Sequence, residues 1–128
     1  MNKNLVSWIL RIGVAGEFIG HGLLSIGGKA DFAKWIGMIL GTDPQTSLTL
    51  LWWIGAFDLV IAIIVLLRPI PAALLWAAFW GFWTALVRPL VGESLWDFVE
   101  RWANWGAPLA LLYLRGMPKK VISKEWLL

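Results

Sequence analysis

The chain has 128 residues, of which 59% are hydrophobic and only 15% charged, and its formal net charge is +3. That is one domain's length with more apolar material than a soluble fold of this size can bury, so residues 1–128 read as a single integral membrane domain. Cysteine is absent, which excludes structural disulfides, thiol redox chemistry, thiolate-held iron–sulfur clusters and covalently attached c-type haem.

Four apolar runs, at about 5–26, 45–67, 70–88 and 95–114, each approach the ~20 residues a helix needs to cross a ~30 Å hydrocarbon core. The first run is too long for the apolar part of a cleaved signal peptide and is interrupted by Arg11, Glu17 and His21, so it is expected to remain as the first helix. Asn4 is placed to cap that helix, and Gly27-Gly28 to end it. Asp31 then opens a shorter segment over about 31–40, in which Phe32, Trp35, Ile36, Ile39 and Leu40 form one apolar stripe; a segment too short to span is expected to lie flat at the interface.

Gly41 closes this segment, and Asp43-Pro44 starts the next helix, because proline at the first helical position forfeits no needed hydrogen bond. Arg68-Pro69-Ile70-Pro71 leaves room only for a tight turn, making the second and third spans an antiparallel hairpin. Arg88-Pro89 and Gly92 mark the exit from the third span. Ser94-Leu95-Trp96-Asp97 has the form of a capping box opening the last helix, and Gly116 and Pro118 stop it. The fold expected is all-α: a transmembrane four-helix bundle with a short interfacial amphipathic helix between helices 1 and 2.

Positive side chains are retained on the cytoplasmic face of a membrane. With four spans, Lys3, Arg68, Arg115, Lys119, Lys120 and Lys124 fall on one side and Lys29, Lys34, Arg88 and Arg101 on the other, which favours both termini in the cytoplasm. The basic tail from Arg115 to Lys124 suits a lipid surface better than a nucleic acid, and no nucleic-acid partner is expected. Most of the eleven tryptophans, among them Trp8, Trp52, Trp53, Trp96, Trp102, Trp105 and Trp126, lie near span ends, where an indole is at home.

Ionisable side chains within hydrocarbon cost ~2.5–3.5 kcal/mol each on insertion scales and need a partner, a wet cavity or a proton. Arg11 lies only ~9 Å in by helical rise and can reach back to the surface. Glu17 lies ~18 Å in, with His21 one turn later on the same face, and Asp58 reaches a similar depth on the second span. Arg11, Glu17, His21 and Asp58 are therefore the candidates for a polar interior cluster, set against the plainer reading of hydrogen bonds that fix helix packing.

Gly13, Gly16 and Gly20 give the first helix a small-residue face on which another helix can approach closely. Trp76, Trp80 and Trp83 share one face of the third, with Phe79 beside them; that face suits core packing and could equally stack on a flat ligand. On the last helix Pro108 cannot donate to the carbonyl of Asn104, so a kink is expected near Glu100, Arg101 and Asn104, which pair along the helix or form an outer mouth to the same interior. No metal site is expected, and one histidine does not make a bis-histidine haem. No hydrolase signature, phosphate loop or Cys/His cluster occurs, so catalysis by the chain alone is not expected.

The run from Arg11 through Gly13, Gly16 and Gly20 to His21-Gly22 resembles the first-helix pattern of the DoxX/DoxD-like membrane proteins. Gly55-Ala-Phe-Asp58 resembles their second-helix glycine and acidic position, and the segment from Glu100 through Asn104 to Pro108 looks like their last helix. The similarity covers most of the chain; aspartate at 58 stands where glutamate is more usual, and Glu17 is an added charge. The resemblance implies a small subunit in a bacterial or archaeal cytoplasmic membrane, linked to quinone-dependent oxidoreduction beside a redox partner. His21 and Asp58 would then meet the quinone oxygens between Trp76, Trp80 and Trp83. Two other roles use the same residues: a non-catalytic accessory subunit packed into a larger membrane complex, and a small transporter or proton channel.

Overall fold

The computed structural model describes residues 1–128 as six α-helices and a C-terminal 3₁₀ turn, with no strand. They are α1 (Lys3–Ile26), α2 (Ala30–Leu40), α3 (Pro44–Leu67), α4 (Pro71–Leu90), α5 (Leu95–Val99) and α6 (Ala103–Arg115), followed by the turn Lys124–Leu127. Three of them, α1, α3 and α4, are long and apolar enough to cross a membrane. Their outward faces are apolar too: Ile12, Leu23, Val60, Ile63 and Phe79 are all exposed, which suits a hydrocarbon solvent and would be costly in water.

The helix ends follow local chemistry. Asn2, two residues earlier than the expected Asn4, accepts the Leu5 N–H at 3.1 Å and caps α1. Gly28, at φ 73°, lets the chain leave that helix, its neighbour Lys29 donating back to the Leu24 carbonyl at 3.1 Å. Lys29, not Asp31, holds the capping position of α2 and makes no side-chain cap; Asp31 lies in the first turn.

Asp43 caps α3, accepting the Thr46 hydroxyl at 2.5 Å and its N–H at 3.3 Å. These bonds, the hydroxyl's foremost, hold the Asp43 carboxyl below its ordinary range. A depressed carboxyl contributes stability that is present above its unfolded value of ~3.9 and lost as pH falls through the lower folded value. Asp43→Asn should therefore melt below the parent in detergent at pH 7 and converge with it in strong acid. A gap that persists unchanged into acid would assign the effect to something other than the carboxylate.

The core joins Val14 and Phe18 of α1, Ile61 and Val65 of α3, Leu74 of α4 and Leu111 and Leu112 of α6. Helices α1 and α3 cross where two glycines meet: a Cβ on Gly55 would lie 2.7 Å from the Gly22 carbonyl oxygen. Gly13, Gly16 and Gly20, the expected approach face, meet nothing within 4 Å and stay exposed.

The last apolar run is not one helix. The chain tightens between α5 and α6: Arg101 donates to Phe98, Trp102 to Val99 and Asn104 to Arg101, each three residues back. The cause lies across the interface. Gly81 of α4 packs so closely on Asn104 that a Cβ there would sit 2.2 Å from its carbonyl oxygen. That carbonyl is the one Pro108 cannot serve, so the last segment turns its unserved acceptor and its irregular backbone onto the bare Cα of α4.

Candidate functional site

Between α1, α2, α3 and α4 lies a cavity of about 190 Å³. Its polar side chains are His21 and Ser25 from α1, Asp58 from α3, and Thr84 and Arg88 from α4. Trp80 and Trp83 form its α4 wall, and Phe32, Trp35, Ile36, Ile39 and Leu40 its cover. The stripe on α2, a segment expected to lie flat at the interface, thus lines one side of a half-open pocket. Glycines at both ends, Gly28 and Gly41 with φ of 73° and 71°, fold this short helix back over the bundle.

A narrower recess shares His21, Asp58, Trp80 and Thr84 with the cavity and adds Glu17 and Phe18. Glu17 thus borders a narrow recess beside the cavity, with His21 and Asp58 lining both, and the side chains of the three make no hydrogen bond to one another. Asp58 is the clearest case: 2% exposed, on the most apolar helix of the protein (mean hydropathy 2.6), with its carboxyl open only to the interior. The His21 ring lies 6.0 Å from that of Phe32, tilted by 40°, so α2 also screens the imidazole from above.

Arg11 is elsewhere. Its Nε donates to the Val65 carbonyl at 3.1 Å and its Nη2 to that of Leu66, with the guanidinium stacked 3.8 Å from the Trp8 ring centre. It is a cap for the end of α3, at the opposite end of α1 from the cavity, and is not part of the group around Asp58.

Of the three tryptophans on α4, Trp80 and Trp83 line the cavity and Trp76 does not. Trp76 stacks on Trp80 at 5.5 Å and 13°, and meets Phe57 edge-on, so it supports the wall from behind. Glu100, Arg101 and Asn104 do not reach the cavity either. Arg101 bonds to Glu100 at 2.6 Å and to the Asp97 carbonyl at 2.8 Å, which ties these side chains to the bend between α5 and α6.

Arg88 is, with Ser25 and Thr84, a polar cavity residue that sequence reading passed over. The adjoining Pro89 marks a helix end, and α4 does stop at Leu90, yet the arginine turns inward and is only 7% exposed. A signal was available: residues 80, 84 and 88 follow at i, i+4 and i+8, which puts Arg88 on the same face as Trp80.

The chain is an all-helical protein with three helices long and apolar enough to cross a membrane, and between them lies a half-open, mostly apolar pocket into which His21, Asp58 and Arg88 bring ionisable groups. No protein-family model matches the chain, and no curated protein or solved structure is similar to it.

Proposed function

We propose that the chain is a DoxX-like membrane subunit of a quinone-linked oxidoreductase, and that the cavity under α2 holds the quinone ring. The observation that carries this reading is the pair His21 and Asp58, brought from two helices to one cavity beside Trp80 and Trp83 and left without side-chain partners, with Glu17 in the adjoining recess. The size is suitable: a lined apolar cavity of ~150 Å³ accepts a benzene ring, and this one is about 190 Å³. In this reading α5 and α6 together make a fourth, bent crossing, α2 lies at the outer interface, and both termini face the cytoplasm. The six-to-four distribution of lysine and arginine supports that orientation.

A bound quinone supplies two-electron, two-proton redox chemistry; electrons come from a partner protein. The chain's own contribution is binding and proton handling. Trp80 and Trp83 orient a flat ring, and the apolar stripe of α2 packs along its other side. His21 and Asp58 hold or accept a proton at the ring oxygens, and Glu17, one turn deeper than His21, passes it along the recess.

Protein purified in mild detergent should carry extractable quinone, and His21→Ala and Asp58→Asn should each weaken quinone binding about tenfold or more, the effect of one lost hydrogen bond to an ionisable group. Purified protein that contains no quinone and ignores added quinone would overturn the reading.

A second reading is favoured by one specific observation, the open face of Gly13, Gly16 and Gly20. It suits close packing against a helix of another protein, as in an accessory subunit. Comigration with a larger complex whose activity survives neutralisation of Glu17, His21 and Asp58 together would select it.

A further inference from the structure

The two ends of the cavity carry opposite charge. Asp58 lies at the end that adjoins the recess of Glu17, Trp80 and Thr84, whereas Arg88 lies one helical turn beyond Thr84 and two beyond Trp80 on α4, on the side of α2. Arg88 has no ion-pair partner: the protein's one ion pair joins Arg101 to Glu100. Its one hydrogen bond, from Nη1 to the Thr84 carbonyl at 2.8 Å, is to its own helix. One face of the guanidinium lies 5.1 Å from the Trp35 ring centre. A guanidinium has five N–H donors in a planar fork and does not give up its charge, so Arg88, which lines the cavity and makes one hydrogen bond, keeps donors to spare. Glu93, Asp97 and Glu100, the acids of the connection that follows α4, lie near enough to act on the Arg88 charge, as does Arg101, but none of them bonds to it or lines the cavity.

We infer that the cavity takes a flat ring bearing one ionised oxygen, with that oxyanion on Arg88 beneath α2 and the opposite edge of the ring toward His21 and Asp58. The inference rests on the reading of the cavity as a quinone site and narrows it to acidic rings. The polarity argues for one orientation: an anion at the inner end would face Asp58, with Glu17 close behind it, whereas at Arg88 it meets the only arginine or lysine that lines the space. The donor fork accepts two oxygens side by side, and tryptophans flank the path between the two ends.

The test compares two rings of similar shape, neutral 1,4-naphthoquinone and its acidic 2-hydroxy derivative, which is ionised at neutral pH. Binding to the detergent-solubilised full chain is measured by equilibrium dialysis for the parent, Arg88→Gln and Arg88→Lys. The parent should favour the acidic ring by about tenfold or more, as one charge-assisted hydrogen bond predicts. Arg88→Gln should abolish that preference, lowering the acidic ring's affinity far more than the neutral ring's, and Arg88→Lys should retain part of it. Equal binding of both rings by the parent, or a preference that survives in Arg88→Gln, overturns the inference and spares the quinone reading. Binding of neither ring overturns both. Should Arg88→Gln fail to fold, the parent's preference and its reduction in Arg88→Lys decide the matter.

Discussion

Gly81→Ala is expected to be among the most destabilising single-methyl additions in this protein, lowering stability in detergent by about 3 kcal/mol, the upper end of what overpacking ordinarily costs. The new Cβ would lie 2.2 Å from the carbonyl oxygen and 2.7 Å from the carbonyl carbon of Asn104, and neither is a side-chain tip that can swing away. To make room, α6 must retreat from α4, and Leu111 and Leu112 must withdraw from the core they share with Leu74. Gly55→Ala should follow closely, because its Cβ would meet the Gly22 carbonyl oxygen at 2.7 Å and the Ile26 nitrogen at 2.9 Å. Gly16→Ala and Gly20→Ala provide the contrast. Each would add a methyl to open space and gain helix propensity of roughly 0.8–1.0 kcal/mol, so the isolated chain should be as stable as the parent or slightly more so. Unfolding followed by circular dichroism in one detergent ranks all four; Gly81→Ala melting beside Gly16→Ala would show that the α4–α6 contact is not close.

That contrast shows where sequence reading reaches its limit. Length and apolarity are local, so the runs at 5–26, 45–67 and 70–88 could be read directly and correspond to α1, α3 and α4 within a few residues. Glu17, His21 and Asp58 stand out for the same reason, as ionisable groups in apolar runs. What a helix touches is not local. Gly16 and Gly20 have the spacing of a packing motif, yet the close crossing uses Gly22 and Gly55, which no spacing rule joins. Pro108 foretells an irregular last helix, but the break at 100–102 lies more than one turn before it, set by where α6 must rest its backbone on Gly81. The stripe on α2 was legible as amphipathic; that its apolar side lines a pocket against the bundle depends on the two glycine turns acting together. Arg88 was obscured by Pro89, because a proline after an arginine reads as punctuation.

Arg11→Leu is the second large effect to expect, and its reason begins at the proline turn. Helix α3 ends before Pro69, which has no N–H to give to the Val65 carbonyl four residues earlier. The Ile70 N–H, which would otherwise serve Leu66, is turned to the Arg68 carbonyl at 2.7 Å. Two acceptors at the negative end of a helix are thus orphaned together, and Arg11 takes both. Within a bilayer little water reaches such groups, so leucine at position 11 leaves each unsatisfied at ~1–3 kcal/mol. A loss of about 3 kcal/mol or more is expected. Lysine, a point donor that cannot span two carbonyls, should restore only part of it. Because the guanidinium lies against α3's end and not against Glu17 or Asp58, Arg11→Leu protein that remains folded at low temperature should bind quinone as the parent does. Reduced stability with unchanged quinone affinity is the expected pair of results. If affinity collapsed while the melting point stayed put, Arg11 would belong to the charge balance of the cavity, and its place as the cap of α3 would have to be given up.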